Sequence, residues 1–223
     1  MKGHDAIEID HAYKFIKKRP ILDDITLSLR RGGVYGFVGA NGSGKTMLLK
    51  AVAGLVHLTS GEIRVFGNTV GKDCSFPPNT GCMFNSLLWE EYSGYENLHI
   101  LASVKKEVGD PDLARTLERV GLDPNDVRPY RSYSMGMRQR LDLAQAIMEK
   151  PELLILDEPS NALDSGGLTL LCDIVREEHE RGTTILLSSH NTPELAALCE
   201  VIFELSDGRV VEGGRDVLQK SKA

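Results

Sequence analysis

Eight residues in the first quarter of the chain have the types and spacing needed to hold phosphate: Gly39-Ala40-Asn41-Gly42-Ser43-Gly44-Lys45-Thr46. Glycines let successive backbone N–H groups turn inward as an anion nest, and a helix opening near Gly44 adds its positive dipole end. Lys45 is placed to reach the β- and γ-phosphates of a nucleotide, and the Thr46 hydroxyl to ligate Mg²⁺. The setting matches that chemistry. Val34–Val38 before the loop is nearly continuous apolar sequence, as a strand buried on both faces is. After the loop, Lys45–Ala53 reads as an apolar helix stopped by Gly54. An ordinary glycine-rich turn has no need of that strand–loop–helix context.

A second segment, Leu153-Leu-Ile-Leu156, runs directly into Asp157 and Glu158. Adjacent carboxylates at the C-terminal end of a buried strand sit where open α/β sheets place their ligands. Asp157 suits the Mg²⁺ shell, and Glu158 suits polarisation of an attacking water. Alone, the segment reads equally well as a strand entering an acidic loop; the upstream glycine loop favours the chemical reading. His190 ends the strand Thr183–Ser189. A lone histidine there is ordinarily a surface residue, but its place one strand beyond the acidic pair makes it a third candidate.

Between these segments lies Tyr133-Ser134-Met135-Gly136-Met137-Arg138-Gln139-Arg140-Leu141. Ser134 is a good helix N-cap, and Gly136 allows a phosphate to approach the positive end of that helix. The segment resembles the LSGGQ signature of the ATP-binding-cassette (ABC) ATPases, and the other motifs follow in that family's order along the whole chain. The resemblance implies an α/β P-loop NTPase with a mostly parallel central sheet, an N-terminal antiparallel β subdomain and an inserted α-helical subdomain. It implies one ABC ATPase domain over 1–223, with 1–84 and 134–223 forming the core and about 85–133 the helical subdomain.

The same resemblance assigns roles. Gly39 through Thr46 bind ATP, Tyr13 stacks on adenine with Phe15 as its rival, and Ser134 and Gly136 face the γ-phosphate held by a second copy. Thr46 and Asp157 serve Mg²⁺, with Asn85 beside them in the place of the family's Q-loop glutamine. Glu158 and the switch histidine His190 are the catalytic pair, and Ser160–Asp164 looks like the D-loop. Asn85 keeps an amide but is one methylene shorter than glutamine, and Tyr133, Met135 and Met137 replace leucine, glycine and glutamine of the signature. Neither departure removes a charge from the hydrolytic machinery, so an active ATPase using ATP and Mg²⁺ is expected.

The expected partners are a second ATPase subunit, as a head-to-tail homodimer, and a membrane-spanning permease. Leu87, Leu88, Trp89 and Tyr92 line either the permease groove or the core of the helical subdomain. The form of the signature resembles ATPases of bacterial exporters, so export is favoured over import. Two alternatives stay open: a non-transport ABC ATPase acting on a soluble assembly, and a nucleotide-gated regulatory module with weak hydrolysis.

The elements that position these residues follow from periodicity. Ala6–Ile9, Ile25–Leu29 and Gly61–Gly67 read as short strands, and Glu96–Val108 and Asp112–Val120 as helices of a more polar middle. Beyond Ser134–Glu149, the last third alternates strand and helix: Leu153–Leu156, Gly167–Arg181, Thr183–Ser189, Thr192–Cys199, then Val201–Leu205 and Arg209–Val211. That alternation requires a mostly parallel sheet with helices on both faces. The 223 residues carry a formal charge of -6, which disfavours a nucleic-acid binder lacking any basic excess. No apolar run approaches the roughly 20 residues of a membrane span, and no basic, then apolar, leader opens the chain. A membrane role is expected only through the permease, with the chain cytoplasmic and peripheral on the inner face. Cys74, Cys82, Cys172 and Cys199 are scattered without a CxxC pair, as free thiols of a reducing compartment are.

Overall fold

A long hairpin opens the chain in the computed structural model, which describes residues 5–84 and 88–214, the side chains of 194 and 212–214 excepted. Strands β1 (Asp5–Ile16) and β2 (Arg19–Arg30) pair antiparallel, burying Ile7, Ile9 and Ala12 from one strand and Leu22, Ile25 and Leu29 from the other. A register shift beside His11, whose φ is 45°, resets the alternation before Ala12. Both strands run well past the short stretches expected from periodicity. They meet in a two-residue turn, Lys17-Lys18, with φ angles of 46° and 68°. Asn, Asp and Gly usually mark such a turn; here neither residue signals it. Strands β4 (Ser60–Val65) and β5 (Asn68–Thr69) complete an antiparallel sheet in the order β2-β1-β4-β5.

The second sheet comprises β3 (Val34–Val38), β6 (Thr80–Met83), β7 (Leu153–Leu156), β8 (Thr184–Ser189), β9 (Val201–Ser206) and β10 (Arg209–Gly214). Its order is β10-β9-β3-β8-β7-β6, parallel throughout except for the β9–β10 hairpin. Strand β6 is an addition to the sequence reading. It is four residues long, includes a glycine and sits at the sheet edge, so it carries little apolar patterning.

Between β6 and β7 the chain leaves the sheet for α2 (Gly94–Lys105), α3 (Asp110–Arg119), a 3₁₀ turn (Tyr130–Ser132) and α4 (Met135–Ile147). Helix α2 starts earlier than the apolar spacing suggested, because Ser93 and Glu96 form a capping box. Ser134 caps α4 by accepting from Met137 N–H. The remaining helices are α1 (Lys45–Val52), α5 (Ser165–Glu180) and α6 (Thr192–Ala196).

The apolar strands alternate faces even though they read as continuous runs. Val34, Val38, Leu154, Leu156, Ile185 and Leu187 join one core with Leu98, Leu113, Leu117 and Leu141 of the intervening helices. Tyr35, Phe37, Leu153, Ile155 and Leu186 join a second core with Leu48 and Leu49 of α1 and Ile7 and Leu29 of the antiparallel sheet. Each fully buried leucine contributes roughly 1.5–3 kcal/mol, and the two cores clamp the sheet from both sides. Arg119 of α3 reaches the fully buried Glu178 of α5 at 3.0 Å, tying the inserted helices to the core. The result is a rigid sheet whose C-terminal strand ends, after Val38, Leu156 and Ser189, lie side by side.

Candidate active site

The loop after β3 is shaped by glycines whose backbone other residues rarely adopt. Gly39 has φ +156°, and a Cβ there would stand 2.3 Å from Leu205 O. Gly44 has φ +109°, and its Cβ would stand 2.9 Å from Ile21 O. Gly208 N–H, in the β9–β10 turn, donates to Ser43 O at 3.0 Å and pins the loop from outside. The Ser43 hydroxyl is buried here with no hydrogen-bond partner. A buried polar atom of this kind calls for a ligand atom or water.

Lys45 opens α1 and is only 5% exposed. Its Nζ donates to Gly39 O at 2.7 Å and Ala40 O at 3.3 Å, and lies 3.5 Å from Glu158 Oε1. Thr46 donates its hydroxyl to Asp157, at 2.8 Å from Oδ2 and 3.1 Å from Oδ1. Ser188 of β8 donates to Asp157 Oδ1 at 2.6 Å and accepts from Glu158 N–H at 2.9 Å. His190 Nδ1 is 2.9 Å from Glu158 Oε2. A carboxylate oxygen at ordinary pH only accepts, so Nδ1 carries the hydrogen.

Glu158 is therefore held at four points. Ser188 takes its N–H, Lys45 and His190 face its two carboxylate oxygens, and Gln139 of α4 donates to its backbone carbonyl at 3.3 Å and to Pro159 O at 3.1 Å. These contacts keep it at φ +50°, a left-handed conformation uncommon for a side-chain-bearing residue.

The donor set fits a nucleotide with Mg²⁺. A hydroxyl, a carboxylate and a lysine are hard-oxygen and phosphate chemistry. Among the described residues no group of three or more His, Cys, Asp and Glu is arranged to hold a metal. A cation at Thr46 and Asp157 thus needs further oxygens from phosphate, the usual way Mg²⁺ is bound in such sites.

The chain matches the family model described as ABC transporter over residues 22–161. It is 40% identical to the uncharacterised ABC transporter ATP-binding protein YybJ of Bacillus subtilis (strain 168) over 215 residues, covering 96% of this chain and 99% of YybJ. The chain belongs to the ABC transporter family.

Two further ABC relatives are the bacitracin transport ATP-binding protein BcrA of Enterococcus faecalis and the lantibiotic transport ATP-binding protein SrtF of Streptococcus pyogenes. BcrA is 36% identical over 93% of this chain and 68% of its own length. SrtF is 32% identical over 92% of this chain and 89% of its own length. In fold, the chain is similar to a dimeric post-hydrolysis state of the ATP-binding cassette MJ0796 bound to ADP and Pi, with a TM-score of 0.82 at 21% identity over 93% of this chain and 97% of that one. It is also similar to an ATP-binding subunit of an ABC transporter, with a TM-score of 0.85 at 25% identity over 97% and 93%.

Against the ABC motifs, the structure brings Lys45, Thr46, Asp157, Glu158 and His190 into one hydrogen-bonded cluster, with Ser43 and Gly44 buried in the adjoining loop and Ala40, Asn41 and Gly42 on its exposed rim. Tyr13 stands outside that cluster on β1. Its ring lies parallel to Phe15 with centroids 6.5 Å apart, and its hydroxyl bonds to Asp24. Tyr13 is half-buried and Phe15 exposed. Exposed Ser134 and half-buried Gly136 lie at the start of α4, and no described hydrogen bond joins them to the loop of their own chain. Asn85 and Leu87 lie outside the described residues. Leu88 is core, whereas Trp89 and Tyr92 are 44% and 43% exposed.

One departure in the signature has a packing reason: Tyr133 is buried, and its hydroxyl accepts from Gly94 N–H at the start of α2. Two contributors were not singled out from sequence, Ser188 and Gln139. Ser188 did leave a signal, a hydroxyl inside a strand otherwise buried on both faces, where a polar group needs a partner.

Proposed function

We propose that this chain is the ATP-binding and ATP-hydrolysing subunit of a transporter that works through a separate membrane permease, in the direction of export. One observation carries the reading: Lys45, Thr46, Asp157, Glu158 and His190 converge at the C-terminal ends of three parallel strands. BcrA and SrtF, named as bacitracin and lantibiotic transport ATP-binding proteins, support the transport role; the direction rests on the exporter-like form of the segment 134–140.

In this reading the amides of residues 39–46 cradle the phosphates, and Lys45 exchanges the carbonyls of Gly39 and Ala40 for phosphate oxygens. Mg²⁺, when bound by Thr46 and Asp157, neutralises charge on the β- and γ-phosphate oxygens. Glu158 polarises the attacking water, and His190, through its Nδ1 hydrogen, fixes the carboxylate that does so. Tyr13 receives the adenine, and Asn85, in the place of the family's Q-loop glutamine, is the residue assigned to serve the metal. Ser134 and Gly136 complete the site of a second copy, so two chains close head to tail over two ATP molecules. The inserted segment of about 85–133, carrying Trp89 and Tyr92, faces the permease, and the remainder is the catalytic core. No helix among the described residues is long and apolar enough to cross a membrane; the permease holds the chain at the inner face.

Phosphate release tests this reading. The chain reconstituted with its permease is expected to turn over Mg-ATP, and Glu158→Gln to lower kcat by roughly 10²–10⁴-fold, the usual contribution of a positioned base. Absence of Mg²⁺-dependent turnover in the reconstituted complex would sink it.

A further inference from the structure

The β7–β8 ladder ends at the pair Leu156↔Leu187. The next two positions in register are Asp157 and Ser188, and there the chain turns into the left-handed Glu158. Backbone pairing stops at that point, and a side chain continues it. The Ser188 hydroxyl has one hydrogen, donated to Asp157 Oδ1 at 2.6 Å, and a lone pair that accepts Glu158 N–H at 2.9 Å. Ser188 is fully buried, so water does not compete for either bond.

We infer that Ser188 is a positioning residue for ATP hydrolysis: its hydroxyl sets the Asp157 carboxylate and the Glu158 backbone relative to each other. The inference rests on the roles given to Asp157 and Glu158 above. Three features support it over a hydroxyl merely satisfied in a strand. Both partners of Ser188 belong to the acidic pair. Thr46 of α1 donates to the same Asp157 carboxylate, so that group is oriented from a helix and from a strand at once. Finally, His190, two residues along the same strand end, takes the Glu158 carboxylate, so the end of β8 grips Glu158 at backbone and side chain together. An error of about 1 Å in such a constellation can cost 10²-fold in rate.

Threonine and valine separate the hydroxyl from the volume. The two share one branched shape, so the cost of the added methyl is common to both and only the hydroxyl differs. Ser188→Thr is expected to retain the higher kcat, and Ser188→Val to fall roughly ten- to a hundredfold below it. The KM for ATP should stay within about threefold in both, because neither change touches the phosphate loop. Amide hydrogen exchange gives a readout independent of turnover. The Glu158 amide should be protected in the parent and in Ser188→Thr, and exchange at least about tenfold faster in Ser188→Val, as expected when an amide loses its acceptor. Equal kcat for the two variants, or a parent Glu158 amide exchanging as fast as an open loop, overturns the inference. A parent chain without ATPase activity would defeat the functional reading instead, leaving the exchange comparison to decide the role of Ser188.

Discussion

His11, Tyr13 and Asp24 form a small polar cluster on the first hairpin, beside the proposed base end of the nucleotide. The hydrogen bond to Asp24, at 2.6 Å, is the main cause that raises the His11 pKa above its ordinary 6.5, and the bond to His11 is the main cause that lowers Asp24 below 3.8. Burial first, and then Asp24, raise the Tyr13 phenol. The signs define a window. The His11 contribution is complete below 6.5 and is lost as pH rises through its raised pKa. That of Asp24 is complete above 3.8 and is lost as pH falls through its depressed value. NMR titration should therefore find His11 above 6.5 in the parent and moved back towards it in Asp24→Asn. An unmoved His11 would rule out the pairing. At this scale the sequence was informative where a motif carries the chemistry, as with Lys45, Thr46, Asp157 and Glu158. It was silent where chemistry depends on which residue a strand end happens to face: Ser188 and Gln139 meet Glu158 only after α4, β7 and β8 have packed.

Among the elements, the β1–β2 hairpin departs furthest from what its sequence signals. Lys17 and Lys18 occupy two left-handed positions where Asn-Gly would fit with less strain. Replacing them together with Asn and Gly should stabilise the chain by about 0.5–1 kcal/mol, read as a higher midpoint in urea at unchanged slope. A lower midpoint would mean the lysines make contacts that outweigh the turn geometry. The long, strongly patterned elements were legible from sequence: β3 and β7 match their apolar runs, and α5 and β8 begin within two residues of expectation. Hidden elements had local reasons. Strand β6 is short and at an edge, and the start of α2 is fixed by the Ser93 cap rather than by apolar spacing.

For the molecule as a whole, the site is asymmetric. The phosphate loop, the acidic pair and His190 lie in one cluster, while the start of α4, with Ser134 exposed and Gly136 half-buried, has no described hydrogen bond to that loop. A second copy is the occupant proposed for that surface. In the Glu158→Gln background, ATP should drive dimer formation in sedimentation velocity, and adding Gly136→Asp should keep the chain monomeric by placing a carboxylate against phosphate. Persistent monomers of Glu158→Gln in saturating Mg-ATP would argue against head-to-tail closure. The general architecture was readable because strand–helix alternation leaves few topologies. The pairing of two copies is expected from the resemblance of the motifs and not from periodicity, since a single chain's periodicity reports only what it buries against itself.

The order of the strands also bears on how the protein is made. Strands β6 and β7 are sheet neighbours, yet α2, α3 and α4 are synthesised between them. Such a distant pairing costs loop-closure entropy before it gains contacts, and it forms late. The phosphate loop leaves the ribosome in the first quarter of synthesis, whereas Asp157, Ser188 and His190 emerge only in the last third. A nascent chain thus carries its lysine and threonine long before the strands that fix them, because β3 pairs with β8 and β9 and Gly208 pins the loop. The loop made first takes its shape last, together with the acid and the base, so a half-made chain offers nucleotide no finished cradle.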